Sequence, residues 1–366
     1  MTFIDTACVV GGSFAGLLAA RVLADHVGRV VVLERDDPAH GRPSVPQSRH
    51  GHFLQPEALE QLERWFPGFT DEAVVRGAVR SAPGHHRIYA ESNPLPDWDT
   101  TMLMASRGFL EEHLRRHVVA IPEVEFRRTR ATGLHHSGKS VTGVVTTDGT
   151  LRADLTVDAT GRATNLGRWL EQSGFPAPIS RRLRVGVGYT TMLFRRKGDP
   201  APPAISCALD QFTLPAEGRG LAAVAAYAIE GKVWQVVGIA YGRNRGEATI
   251  DNLRQICAGL PDVFREATLG DVVGDVATFF YGESLRRSIT DLEAFPSGLV
   301  NIGDAVATYD PIRGLGMASA ARQATILGDF LEGNDDPAGR SRDFLRLRES
   351  AVDQAWKMAS VPRQHV

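Results

Sequence analysis

The sequence has few cysteines, no long hydrophobic run and almost no excess charge of either sign. Its three cysteines, Cys8, Cys207 and Cys257, are scattered and match neither a C-x-x-C redox motif nor a zinc site. The longest apolar runs, such as residues 221–229, are too short to span a bilayer. Because 41 basic side chains balance 43 acidic ones, the composition does not favour a nucleic-acid-binding surface.

These absences are typical of an ordinary globular enzyme. The first residues also lack the basic segment and apolar core of a secretory signal peptide. We therefore expect a cytoplasmic protein with buried thiols, no membrane span, no nucleic-acid partner and no bound metal. The histidine pairs at 85–86 and 135–136 have no metal-ligand context, and we expect them on the surface. A length of 366 residues is enough for two or three domains.

The most informative pattern lies in the first 35 residues, where an apolar run breaks into GGSFAG at residues 11–16, the first turn. Residues 7–10 and 30–33 predict strands, residues 16–25 predict a helix, and Glu34 ends the second strand. This βαβ unit is typical of dinucleotide binding, with a pyrophosphate at the helix N-terminus and the acid on a ribose hydroxyl. Ser13 replaces the middle glycine of G-x-G-x-x-G, but serine is small and its hydroxyl can itself bond a phosphate oxygen.

Two further strand ends carry turns of small residues. Residues 156–162, TVDATGR, run from an apolar strand into Asp158 and what we name the middle turn (158–162). Residues 303–320, GDAVATYDPIRGLGMASA, begin with the late turn (303–305), in which Asp304 can hold a ribityl or ribose hydroxyl. A loop at residues 310–317 follows, and its glycines let the backbone lie flat against a ring at the start of a helix. The alternative is that these segments are ordinary βα turns, in which the glycines only end a strand or cap a helix.

In this order, the three turns resemble those of the group A FAD-dependent monooxygenases, the fold of para-hydroxybenzoate hydroxylase. The resemblance covers nearly the whole chain. It implies an α/β fold: a Rossmann-like FAD-binding domain, an inserted, mostly antiparallel β-sheet substrate domain, and a C-terminal helix. Three segments resemble those of one bacterial branch, which includes squalene-epoxidase-like enzymes and the polyene epoxidases of polyether biosynthesis. They are residues 45–52, the Ser106-Arg107 pair and DATGRATNLGRWL from residue 158.

The resemblance also implies a domain division. The FAD-binding domain is predicted to be discontinuous, the β-sheet domain to be inserted into it, and a helical segment to end the chain. The predicted ranges are 1–80, 101–180 and 280–335 for FAD binding, 81–100 and 181–279 for substrate binding, and 336–366 for the C-terminal helical segment.

The resemblance implies FAD as the cofactor and NADPH (or NADH) as the reductant. No second glycine fingerprint is present, which fits a reductant that binds transiently. By this resemblance, residues 310–317, which we name the flavin loop, lie beside the flavin ring. The predicted catalytic positions act there through their backbone and are Pro311, Gly314, Gly316 and Met317. Arg42, Arg49 and His50 are candidates for the reductant's phosphates, or else plain solvated loop charges. The predicted FAD-binding residues are Gly11, Ser13, Phe14, Ala15, Gly16, Glu34, Arg35, Arg42, Arg107, Asp158, Gly303, Asp304, Pro311, Gly314, Leu315, Gly316 and Met317.

The activity implied is insertion of one oxygen atom from O₂ into a hydrophobic small molecule, through a flavin C4a-hydroperoxide, in secondary metabolism such as antibiotic biosynthesis. Epoxidation and hydroxylation stay open, as do a monomer and a homodimer. Asp310 and Arg313 depart from the uncharged residues usual in the branch. The candidate substrate contacts, which could equally be ordinary core, are His52, Tyr189, Met192, Phe212, Tyr227 and Trp234.

Three alternatives share this fold. A geranylgeranyl-reductase-like enzyme would reduce a double bond with FAD and without O₂. An FAD-holding cyclase would perform no net redox. A flavin-dependent halogenase would need a W-x-W-x-I-P segment, of which Trp234 is the only counterpart.

Overall fold

The computed structural model describes residues 4–37, 49–90, 93–198, 204–208, 223–241 and 249–360. These residues divide into two compact units. Unit 1 contains residues 1–44, 111–183 and 284–360, and unit 2 contains residues 45–110, 184–283 and 361–366. Both units are therefore discontinuous in sequence.

The described parts of the chain form both β-strands and α-helices. The strands are β1 (Thr6–Val10), β2 (Arg29–Glu34), β3 (Phe53–Leu54), β4 (Val79–Ser81), β5 (His86–Ala90), β6 (Asn93–Leu95), β7 (Met102–Met104), β8 (Val124–Arg128), β9 (Ala131–Ser137), β10 (Ser140–Thr146), β11 (Gly149–Arg152), β12 (Leu155–Asp158), β13 (Ile179–Arg195), β14 (Ile205–Ala208), β15 (Ala223–Ile229), β16 (Val233–Tyr241), β17 (Val272–Ser288), β18 (Leu299–Asn301) and β19 (Ala307–Thr308). The α-helices are α1 (Phe14–Ala24), α2 (Pro56–Trp65), α3 (Phe69–Val75), α4 (Arg107–Val119), α5 (Leu166–Gln172), α6 (Ile250–Ala258), α7 (Asp262–Ala267), α8 (Leu315–Glu332) and α9 (Ser341–Ser360).

Unit 1 is built on a five-stranded parallel sheet with the strand order β18-β12-β1-β2-β8. The inner strands are continuous apolar runs, as expected of a parallel sheet covered on both faces. Helix α1 packs against α8, and α8 packs against α9. A three-stranded antiparallel sheet, β11-β10-β9, completes the unit.

Unit 2 is built on a mostly antiparallel sheet in which β13, β16, β15 and β14 are neighbours, followed by β5 and β6. One face of this sheet packs against α6 and α7 through Phe194, Leu253 and Phe264. Strands β13 and β17 and helix α4 run from one unit into the other. The observed α/β architecture confirms the predicted fold class.

The apolar pattern alone does not give the bounds of three elements. Residues 151–158 form two strands, because β11 pairs with β10 while β12 joins the parallel sheet. Asp154 marks the change, where its carboxylate accepts the Asp5 and Thr6 N–H groups at 3.0 Å each. The C-terminal helix α9 occupies residues 341–360 of the predicted helical segment 336–366, and it lies within unit 1. Strand β17 was not predicted, since charged residues interrupt its apolar pattern.

The cysteines agree with expectation. All three thiols are buried and free, and burial raises the pKa of each to about 12. Across the ranges that the structure describes, none of the helices combines the length and apolarity needed to cross a bilayer.

The Gly16→Ala substitution should destabilise unit 1. A Cβ at Gly16 would lie 1.8 Å from the Gly11 carbonyl oxygen, so the backbone of the turn must move. We expect a loss of about 1–3 kcal/mol in the free energy of unfolding, measured by urea titration. The control is Gly108→Ala, at an exposed site of α4 where nothing lies within 4 Å of the new Cβ. That change should be neutral or stabilising, and equal losses in the two variants would contradict the argument.

Candidate active site

The three predicted turns meet at one edge of the unit 1 sheet. Strands β1, β12 and β18 are parallel neighbours, and Val10 lies opposite Asp158, which lies opposite Asn301. Each strand is followed directly by its turn. Turns that are about 150 residues apart in sequence are therefore brought together by strand order alone, at the carboxyl ends where open α/β sheets bind ligands.

The turns also touch one another through positions that tolerate no side chain. A Cβ on Gly11 would lie 2.6 Å from the Ala159 carbonyl oxygen of the middle turn. A Cβ on Gly303 would lie 2.5 Å from the Ala15 side chain of the first turn. Both glycines have positive φ, +103° and +64°, so glycine is required here by conformation as well as by space.

In the first turn, two buried carboxylates bind the backbone. Glu34 accepts the Gly12 N–H at 3.1 Å through Oε2 and the Asp36 N–H at 2.9 Å through Oε1. The Ser13 hydroxyl donates to Glu111, which also accepts the Phe14 N–H at 3.3 Å. The Ser13 hydroxyl can therefore donate to a phosphate oxygen only if it gives up its hydrogen bond to Glu111. Arg35 is exposed.

In the middle turn, Asp158 organises the backbone. Its Oδ1 accepts the Thr160 N–H at 3.0 Å and the Thr160 hydroxyl, while Oδ2 accepts the Thr164 hydroxyl at 2.6 Å. Burial raises the pKa of Asp158, and these hydrogen bonds oppose that rise. Because its carboxylate is occupied in this way, direct cofactor contact by Asp158 stays a prediction.

In the late turn, a hydrogen-bond chain from α8 holds Gly303. The Gly303 N–H donates to Gln323 Oε1 at 3.0 Å, and Gln323 Nε2 donates to Ser319 Oγ at 3.0 Å. Ser319 in turn bonds the Tyr309 hydroxyl at 3.0 Å. Sequence reasoning missed Gln323, although a glutamine inside an alanine-rich helix is a usable signal.

The flavin loop is shaped by a cap and a glycine. Asp310 is buried, and its carboxylate accepts the Ile312 N–H at 3.2 Å, which explains a charged residue where the branch usually has none. Gly314 has φ +63° and leads directly into α8, where Leu315 and Met317 are buried. Gly316 is exposed, and no atom lies within 4 Å of a Cβ built on it. This open backbone fits a planar ring that packs against it.

Arg287 ties the middle and late turns together and was not found from the sequence. Its Nη2 donates to the Arg162 carbonyl at 2.6 Å, and its Nη1 donates to the carbonyls of Asp304 and Ala305 at 3.3 and 3.2 Å. The neighbouring Arg286 is committed elsewhere, to Glu349 and Asp353 of α9. One guanidinium therefore fixes the spacing of two turns.

The candidate substrate residues in unit 2 lie on two different faces of its sheet. Tyr189 lies near His50 and Phe279, with ring centroids 6.1 and 6.3 Å away. Tyr227 shares this face and lies 5.9 Å from the Phe53 ring. The other face carries Met192, which is buried in the core under α6 and α7, and also Trp234. Met192 and Tyr189 therefore lie on opposite faces of the sheet, and the role of each toward a substrate stays a prediction.

Two loop histidines have internal roles. His50 is buried and bonds Thr191 Oγ1 at 2.8 Å through Nδ1, and burial together with the nearby Arg49 lowers its pKa to about 4. A neutral His50 is not a phosphate-binding cation, which corrects that prediction. His52 donates from Nδ1 to the His50 carbonyl at 2.7 Å. Arg49 donates to the Asp275 carbonyl at 3.2 Å.

The remaining candidates divide by position. Arg107 begins α4 within unit 2 and is buried, so its role toward FAD stays a prediction. Arg42 and Phe212 lie outside the described residues. No cluster of potential metal ligands occurs within the ranges that the structure covers.

The expectation that His86 lies on the surface is wrong. His86 is buried, and it bonds Asp97 at 2.7 Å and Ser81 Oγ at 3.1 Å. This is the residue set of a hydrolase triad, but the Ser81 hydroxyl is completely buried and also reaches the Met102 carbonyl at 3.3 Å. Because no substrate can reach that hydroxyl, the trio is a structural network.

Comparison with known proteins agrees with this geometry. Residues 5–334 match the family described as FAD binding domain. The fold and the three turns define the class of group A flavin-dependent monooxygenases. The chain belongs to the FAD binding domain family within that class, which confirms the resemblance seen in the sequence.

Individual relatives extend the comparison. Protein Rv3254 of Mycobacterium tuberculosis (strain ATCC 25618 / H37Rv) is 30% identical over 373 residues, covering 95% of this chain and 74% of the relative. The 6-methylpretetramide 4-monooxygenase of Streptomyces rimosus is 25% identical over 340 residues, covering 87% and 72%. The crystal structure of PqsL from Pseudomonas aeruginosa aligns with a TM-score of 0.70 at 18% identity, covering 98% of this chain and 96% of PqsL. That last likeness establishes the fold alone.

The Arg287→Ala substitution should weaken FAD binding. It removes three hydrogen bonds that hold the middle and late turns at a fixed spacing. We expect a loss of about 1–3 kcal/mol in FAD binding free energy, measured by flavin fluorescence on the apoprotein. Arg130→Ala, at an exposed position of unit 1, is the control and should leave the affinity unchanged. Unaltered affinity in Arg287→Ala would remove this residue from the site.

His50 should make stability depend on pH. Since its pKa is about 4 in the folded protein against 6.5 for an ordinary histidine, the unfolded chain takes up a proton first as pH falls. The contribution of His50 is complete above pH 6.5 and is lost progressively toward pH 4, by up to about 3 kcal/mol. Urea unfolding at pH 7 and pH 4.5 should show a smaller loss for His50→Gln than for the wild type.

The matched control for this experiment is His136→Gln, at an exposed site. It should retain the full pH dependence of the wild type. Identical pH dependence in the wild type and His50→Gln would show that His50 titrates normally.

Proposed function

We propose that the protein is an FAD-dependent monooxygenase that inserts one oxygen atom from O₂ into a hydrophobic small molecule. The single observation that carries this proposal is the convergence of the first, middle and late turns at one sheet edge, with the open backbone of Gly316 in the loop that follows. A nicotinamide dehydrogenase needs only the first of these turns. The additional loop has a use when a flavin ring must be held against backbone N–H groups.

In this proposal, the first turn and the N-terminus of α1 bind the pyrophosphate through the N–H groups of Ser13, Ala15 and Gly16, while the Phe14 N–H stays bound to Glu111. Glu34 has two carboxylate oxygens with further acceptor capacity, which suits the ribose hydroxyls. Asp304 of the late turn binds the ribityl chain. The start of α8, from Leu315 to Met317, directs its N–H groups at the ring and stabilises negative charge that develops there.

When bound, FAD supplies the reduction of O₂ and the transfer of one oxygen atom to the substrate. NADPH or NADH is the proposed reductant. The protein's own contribution is to orient the ring, exclude water and provide an apolar surface for the substrate. Tyr189 and Tyr227, on the face of the unit 2 sheet opposite to α6 and α7, are the substrate contacts that we retain.

Epoxidation of an alkene requires no catalytic base, whereas hydroxylation of a phenol benefits from one. Across the described residues of unit 2, the buried histidines are already committed: His50 to Thr191, and His86 to Asp97 and Ser81. This favours epoxidation, or hydroxylation of a substrate that needs no ionisation. The apolar chemistry supports a role in secondary metabolism. The similarity to the 6-methylpretetramide 4-monooxygenase of Streptomyces rimosus supports the same role.

The deciding experiment combines reconstitution with isotope labelling. The protein reconstituted with FAD should show a flavin absorbance band, consume O₂ with NADPH or NADH, and transfer one ¹⁸O atom from ¹⁸O₂ to a candidate polyene or aromatic substrate. Reduction of the substrate without O₂ uptake would indicate the double-bond reductase. Conversion without use of the nicotinamide would indicate the cyclase, and a protein that binds no flavin would overturn the proposal entirely.

A further inference from the structure

Helix α4 carries two side chains of opposite charge, one helical turn apart, that both bind the first turn. Glu111 accepts the Ser13 hydroxyl and the Phe14 N–H, the latter at 3.3 Å. Arg115 donates from Nη2 to the Gly12 carbonyl at 2.6 Å, and its guanidinium lies 5.0 Å from the Phe126 ring. Residues four apart on a helix project from the same face, so a single helix binds three consecutive residues of the turn.

Ser13 occupies the position where the dinucleotide fingerprint has its middle glycine. A side chain here is tolerated only if it does not obstruct the approach of the pyrophosphate to the backbone. In the structure, the Ser13 hydroxyl is bound by the buried carboxylate of Glu111, on α4. The hydroxyl is thereby fixed in one direction rather than free to rotate over the turn.

We propose that Glu111 is a positioning residue for FAD, paired specifically with Ser13. Its carboxylate holds the serine side chain against α4 and fixes the Phe14 peptide, while Arg115 fixes the neighbouring Gly12 peptide from the same helix. The Ser13–Glu111 pair therefore compensates for the missing middle glycine. This inference rests on the proposed FAD site in unit 1, to which all five residues belong.

Glu34 also lies close to the first turn, which gives Arg115 a second role in the charge balance there. A Cβ on Gly12 would lie 3.3 Å from Glu34 Oε2 and 3.4 Å from Arg115 Nη2. Arg115 therefore lies near a turn that two buried carboxylates contact, and its positive charge offsets theirs. An unopposed pair of carboxylates at this position would repel the pyrophosphate.

The test is a double-mutant cycle on the dissociation constant of FAD, measured on the apoprotein by quenching of flavin fluorescence. We expect Glu111→Ala to raise this constant about tenfold or more, and Ser13→Gly to change it little. In the Ser13→Gly background, the effect of Glu111→Ala should fall to about threefold, because only the Phe14 contact remains to be lost. The conservative Glu111→Gln variant keeps an acceptor oxygen and should recover most of the affinity.

The matched control is Glu112→Ala, which removes the same charge from an exposed neighbour on α4 and should shift the constant less than about twofold. Equal effects of Glu111→Ala in the two backgrounds would contradict the pairing. Tighter FAD binding in Glu111→Ala would mean that the carboxylate competes with the pyrophosphate, which would also overturn the proposal. If the wild-type protein binds no FAD, the proposed function fails, and that result is distinct from both of these.

Discussion

The close approach of three parallel strand ends is the constraint on which the rest of the site depends. Gly11 faces the Ala159 carbonyl and Gly303 faces Ala15, each at a distance that leaves no room for a side chain. Because β1, β12 and β18 are neighbours, the turns that follow them must share one small volume. Glycine at these contacts is what allows the turns to form a continuous backbone surface, which suits a long, flat cofactor.

This surface is held in place by side chains from outside the turns. Glu111 and Arg115 of α4 bind the first turn, Gln323 of α8 binds the late turn, and Arg287 joins the late turn to the middle one. Each of these contacts ends on a backbone N–H or C=O group, or on the single hydroxyl of Ser13. Preorganisation of this kind places the conformational cost in folding rather than in cofactor binding.

The sequence predicted the three turns and their strands because a buried parallel strand followed by glycine is a local pattern. Ser13 and Asp310, which depart from the usual pattern, are each explained by one hydrogen-bond partner. The roles of Glu111 and Arg287 could not be predicted, because Glu111 binds Ser13 across 98 residues of sequence and Arg287 binds the Arg162 carbonyl across 125. The sequence also could not predict which residues lie on which face of the unit 2 sheet, since assigning Met192 and Tyr189 to opposite faces requires the strand register.

The central claim is that these three turns form one FAD site, and a crystal structure of the protein with FAD tests it most directly. The account predicts the pyrophosphate at the N-terminus of α1, the ribityl chain beside Asp304 and the ring against the backbone of residues 314–317. It also predicts that the Ser13–Glu111 hydrogen bond persists in the complex. Flavin bound at any other place, or Ser13 turned from Glu111 to the pyrophosphate, would contradict the account.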